Sequence, residues 1–133
     1  MGKTNPPTSE QRKFFENTGV VCPPSKIVAR TLINYIQSNR NKGTKEERIL
    51  MLQEAQRKWI NAPVTRLANK TLCGTILYLS ARSPQMLLEA YGRRRTLKER
   101  GMVDFEVSPF LAVVDIGKNQ TITTALDQWV PAE

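Results

Sequence analysis

The chain has 133 residues, with 20 Lys or Arg against 12 Asp or Glu, a formal net charge of +8 and no histidine. That length suits one ordinary domain or two very small ones, and the 40% hydrophobic share lies well above the disordered range. Without histidine, Ser-His-Asp and Cys-His catalysis are excluded, while strong basicity favours nucleic acid, acidic partners or an anionic membrane surface.

Residues 1–7 read as a disordered polar tail. Thr8-Ser9-Glu10-Gln11 fits a capping box for a short helix, with Phe14 and Phe15 facing inward and Gly19 as its stop. Residues 20–24 form an extended connector. Ser25 caps a second helix on which Ala29, Leu32, Ile33 and Ile36 share one apolar face. After a polar loop, Thr44-Lys45-Glu46-Glu47 is another capping box. It opens a third helix, to about Trp59, with Ile49, Leu52, Gln56 and Trp59 on one face. Lys42, Lys45 and Arg48 crowd that start. They oppose the helix dipole, as a mild cost or as an anion site.

At Asn61-Ala62-Pro63 the pattern changes. Residues 64–67, 73–81, 110–116 and 121–126 read as strands, and Gly117 is placed for a hairpin. Between the second and third strands lies an insertion, 83–107. Ser83-Pro84 supplies a cap and a first-turn proline, so residues 85–91 are expected to be helical, with Met86, Leu87 and Ala90 holding that helix to the sheet. Within the insertion, the run 92–101 carries Arg93, Arg94, Arg95, Lys98 and Arg100 against one anion, Glu99; the net +4 of that run equals half of the chain's net charge.

The segment 59–131 resembles a Tudor/KOW-like small β-barrel. The resemblance rests on Ala62-Pro63-Val64-Thr65-Arg66-Leu67, Cys73-Gly74-Thr75-Ile76-Leu77-Tyr78, Phe110-Leu111-Ala112-Val113-Val114-Asp115, the Gly117 turn, Thr121-Ile122-Thr123 and the closing Leu126-Asp127-Gln128-Trp129-Val130-Pro131. It implies binding of nucleic acid, or of proline-rich or methylated peptides. The insertion replaces a short loop. The available rings, Tyr78, Phe110 and Trp129, do not make a clear methyl-ligand cage.

The expected architecture is therefore α+β. A helical module over residues 8–60 packs on a small, strongly bent antiparallel β-barrel over 61–133, with a basic helical insertion at 83–107. The expected function is non-catalytic nucleic-acid binding, DNA or RNA, through phosphates. Arg93, Arg94, Arg95, Lys98 and Arg100 form a basic finger, either helical or extended, and Arg66, Lys70 and Arg82 widen the cationic surface from nearby strand ends. Arginine suits this role because its planar fork pairs phosphate oxygens bidentately. Tyr78 and Tyr91 are candidates for stacking on bases or for rim packing. The alternative is a protein-interaction module or inhibitor docking onto a larger assembly.

No catalytic set, P-loop or dinucleotide glycine fingerprint occurs, and no cofactor or metal is expected. Asp104 and Glu106, two apart, are either a weak cation site or part of a polar loop. Cys22 and Cys73 are expected to be reduced and buried. No apolar run approaches a membrane span and no signal-peptide core is present, so the expectation is a soluble cytoplasmic protein.

Overall fold

Each long helix begins where a hydroxyl stands ready to cap it. In the computed structural model, which describes residues 5–101 and 107–132 without the side chain of Lys98, the Thr8 hydroxyl accepts from the Gln11 N–H while the Gln11 side chain accepts from the Thr8 N–H. This box opens α1 (Ser9–Thr18), and Gly19, at φ 71°, ends it in the left-handed region. Ser25 caps α2 (Lys26–Gln37). Thr44 and Glu47 form the second box, at α3 (Lys45–Trp59). Ser83 accepts from the Met86 N–H at the start of α4 (Pro84–Glu99).

The strands are β1 (Pro63–Arg66), β2 (Cys73–Ala81), β3 (Phe110–Gly117), β4 (Gln120–Ala125) and β5 (Trp129–Pro131), with a 3-10 turn at Leu126–Gln128 before the last. They form one antiparallel sheet in the order β4-β3-β2-β1-β5. The sheet does not close into a barrel: β4 and β5 are its two edges. The β3–β4 hairpin turns on Lys118 and Asn119, both at positive φ, which a two-residue primed turn requires. Gly117, at φ 93°, takes the adjoining register shift.

Helices and sheet bury one core. Phe15, Leu32, Ile36 and Leu52 from the helices pack with Val64, Ile76, Leu79, Val114 and Trp129 from the strands. Polar contacts cross the same boundary. The Thr31 hydroxyl lies 2.9 Å from that of Ser80 and accepts from the Ala81 N–H. The buried Gln56 amide pairs with both backbone groups of Val21, accepting from its N–H at 2.9 Å and donating to its carbonyl at 2.8 Å. A core-facing glutamine is thereby fully occupied by an extended connector.

Two sequence expectations change. The described part of the N-terminal tail is tied down, since Pro7 is buried and the Asn5 carbonyl accepts from the Lys26 N–H at 2.8 Å; residues 1–4 lie outside the described set. The insertion helix runs on through the arginines to Glu99 and does not stop at Tyr91. Arg, Leu, Lys and Glu are good helix formers, and they carry the helix past the single Gly92.

Candidate nucleic-acid interface

The insertion leaves and re-enters the sheet at one place. Arg82, just past β2, donates its backbone N–H to the Pro109 carbonyl at 2.8 Å. Its guanidinium Nη1 donates to the Ser108 carbonyl at 2.7 Å and to Asp127 Oδ2 at 3.1 Å. The same carboxylate oxygen accepts from the Ser108 N–H at 2.9 Å. Arg82 is buried and ion-paired in this root, so it does not widen a ligand-facing surface. A charge was legible there; its partner was not.

From that root α4 lies on the body through Ala90, which is buried, and through the half-buried Leu87 and Leu97. Met86, expected to help anchor it, is exposed. Arg93, Arg95 and Arg100 are exposed, and none forms an ion pair with a described residue. Arg94 is half-buried. Lys98 belongs to the same helix, with its side chain outside the described set. Arg100, one residue past α4, continues its last turn by donating its N–H to the Thr96 carbonyl at 3.2 Å; at 100° per residue it falls on the side of Arg93, and Arg95 occupies the other. The arm is thus cationic around much of its girth.

The loop between α2 and α3 adds cations that sequence reasoning did not assign to this site. The Lys42 ammonium sits 5.5 Å from the Tyr91 ring centroid. Arg40 and Lys42 both line a cavity of about 340 Å³ under the first half of α4, with Met51, Leu87, Leu88 and Tyr91. A second, more polar hollow flanks Pro84 on the side of Thr31, Asn34 and Ser38. No sequence signal joins Lys42 to Tyr91; the contact exists only once the loop and arm are packed.

Arg48 fixes the shape of that loop. It is buried in the first turn of α3, and its Nε donates to the Ile36 carbonyl at 2.9 Å. Its Nη1 donates to the carbonyls of Asn41 and Gly43. The bond to Ile36 satisfies a carbonyl of the last turn of α2, and the other two tie the loop to it. Arg48 is therefore a cap for α2, and its donors are spent on the backbone where an anion site was one reading of the sequence. Asn41 assists by donating from Nδ2 to the Tyr35 carbonyl at 3.0 Å.

Arg66 and Lys70 lie elsewhere. They flank the β1–β2 turn at the start of β2, whereas α4 departs from the end of that strand. Nine residues of strand separate the two places by roughly 25–30 Å. Arg66 faces its cross-strand partner Trp129, its guanidinium carbon 5.5 Å from the ring centroid. Lys70 is exposed in the turn. Neither belongs to the surface around the arm.

Tyr35 and Tyr78 offer no open stacking face of the kind Tyr91 does. Tyr35 is buried edge-on against Phe110, and Tyr78 is half-buried in β2. Trp129 is in the core and Trp59 is half-buried, with Lys58 over its ring at 5.0 Å. Both cysteines are free thiols, but Cys73, the first residue of β2, is exposed and not buried as expected. Cys22 is half-buried; burial pushes its thiol up, with Arg12 pulling the other way. Asp104 and Glu106 lie outside the described residues, and no cluster suited to a metal ion occurs among the described ones. Nor is any described helix long and apolar enough to cross a membrane.

Comparison with protein families, curated proteins and solved structures finds no match to this chain.

Proposed function

We propose that the protein is a non-catalytic nucleic-acid-binding accessory or regulatory factor that grips phosphates with the α4 arm. The observation that supports this reading is the set of exposed guanidinium groups at Arg93, Arg95 and Arg100, unpaired among described residues, on a helix hung from a braced root. Arg94 and Lys98 belong to the same run. Phosphate oxygens are the natural partners of such a surface, and they carry little sequence information. Binding of low sequence specificity follows. The resemblance of the sheet to a Tudor/KOW-like small barrel is part of the same reading. It is supported by four strands in the expected chain order and by β5, within the closing segment, returning beside β1.

The test is fluorescence anisotropy with single- and double-stranded DNA and RNA at two salt concentrations. Five phosphate contacts on duplex DNA correspond to a log–log salt slope of about −4.5, so affinity falls by roughly two to three orders of magnitude between 50 and 200 mM salt. Replacing Arg93, Arg95 and Arg100 together by Ala flattens the slope by about 3 while the melting temperature holds. An unchanged slope in that variant removes the arm from the function.

A further inference from the structure

We infer that the groove beneath the first half of α4 is a docking site for an acidic, amphipathic segment of a partner protein. The groove is built from distant parts of the chain: Met51 of α3, Leu87, Leu88 and Tyr91 of α4 and the Arg40–Lys42 end of the α2–α3 loop, with Tyr35 of α2 and the re-entry segment at Val107 and Pro109 completing it. Leu88 is 69% exposed, Met51 51% and Tyr91 40%, so large apolar side chains line an open hollow that nothing in the described chain fills. Its volume of about 340 Å³ lies within the range of small-ligand pockets and accommodates one or two apolar anchors.

The lining decides the class of occupant. Aliphatic carbons present no donor or acceptor to a base edge, the Met51 sulfur already accepts from the Tyr35 hydroxyl, and Lys42 already lies over the Tyr91 ring. Leucine- or phenylalanine-type anchors spaced one helical turn apart fit such a wall, which is how amphipathic helices enter grooves. Methionine adapts its shape to them. Both charged side chains at the groove, Arg40 and Lys42, are cations. Carboxylates flanking the anchors therefore complement the rim, and cations there are repelled. This site does not depend on nucleic-acid binding by the far half of the arm. With both in place, the protein bridges an acidic partner to a polyanion.

The experiment uses the full chain and a fluorescein-labelled peptide of about 15 residues, with Leu and Phe at i, i+3, i+4 and i+7 and Glu at the flanking positions. The controls are the same peptide with every Glu changed to Gln, a scramble of equal composition, and a single-stranded oligonucleotide. Saturable binding of the acidic amphipath is expected, weakened about tenfold or more by Leu88→Ser, by Lys42→Glu and by the Glu-to-Gln change. Leu88 is exposed, so its replacement leaves the fold intact, which a thermal melt verifies. Equal binding of the scramble, no binding of any peptide, or indifference to Leu88→Ser overturns the inference. So does a dimer in light scattering that Leu88→Ser abolishes, which assigns the groove to a second copy. If Leu88→Ser weakens the oligonucleotide as much as the peptide, the groove belongs to nucleic acid and the inference again fails. Loss of oligonucleotide binding alone, with peptide binding intact, counts against the phosphate-gripping arm and leaves the groove standing.

Discussion

The Arg82 guanidinium and the Asp127 carboxylate meet at 3.1 Å with side chains only 6% and 4% exposed, and they close the root from which the arm departs. Residues 45 apart in sequence thereby hold the end of β2, the re-entry at Ser108 and the 3-10 turn in one place. A buried pair of this kind is weak as net stabilisation, yet severing it is costly, because one charge is left without a partner. Asp127→Ala is expected to destabilise the protein by about 3–5 kcal/mol. The double variant Arg82→Met/Asp127→Leu is expected to cost less than either single removal. Urea midpoints of the wild type, Arg82→Met, Asp127→Leu and the double variant measure the coupling; additive losses contradict it.

Arg48 bears the same kind of load on the other wall of the groove. Its donors serve the carbonyl of Ile36 in the last turn of α2 and those of Asn41 and Gly43 on either side of Lys42, which the loop presents to Tyr91. Arg48→Ala is expected to cost about 2–4 kcal/mol, since buried acceptors lose their partners. Arg48→Lys recovers little of this, because one ammonium cannot span three carbonyls arranged for a planar fork. Chemical denaturation gives the stability, and a spectral change at Tyr91 gives the loss of order in the loop.

Local signals were legible and tertiary ones were not. The boxes at Thr8 and Thr44 and the caps at Ser25 and Ser83 were read correctly, because each is completed within three residues. Four of the strands and the hairpin at Gly117 followed from period and turn residues, and the short β5 coincides with part of the closing segment. Arg82 looked like surface because charge suggests solvent until a distant carboxylate is found. Arg66 and Lys70 were grouped with the arm because both are near strand ends, but they are near the other end of β2. The Lys42–Tyr91 contact needs two elements brought together by packing, and no spacing in the sequence announces it. The barrel expectation assumed closure, whereas β5, three residues long, pairs with β1 and leaves β4 as an edge.

Tyr35 makes alkaline pH a probe of the groove's floor. Burial pushes its phenol up from 10.0 to about 12, with the charge on Arg48 pulling the other way, and its hydroxyl donates to Met51 Sδ at 3.3 Å. Between pH 10 and about 12 the folded chain keeps this proton and the unfolded chain releases it. The unfolded state then binds fewer protons, so stability falls as pH rises through that window. The urea midpoint of the wild type is expected to drop more steeply from pH 9 to 11 than that of Tyr35→Phe. Parallel curves show that Tyr35 does not contribute.

Gly92 sits inside α4 between Tyr91 and the arginines, and a Cβ placed on it meets nothing within 4 Å. Glycine inside a helix is the costliest ordinary choice, because the unfolded chain gains the most freedom there. Gly92→Ala is therefore expected to stabilise the arm by about 0.5–1 kcal/mol without touching a neighbour. If the arm grips its ligand as a helix, the substitution holds Arg93, Arg95 and Arg100 in their bound spacing and affinity for nucleic acid holds or rises. If the arm has to uncoil to bind, the same gain in helix stability opposes the change and affinity falls by about two- to fivefold. Circular dichroism reports the helix and anisotropy reports the affinity. A weaker complex alongside increased helicity excludes the rigid-arm form of the proposal.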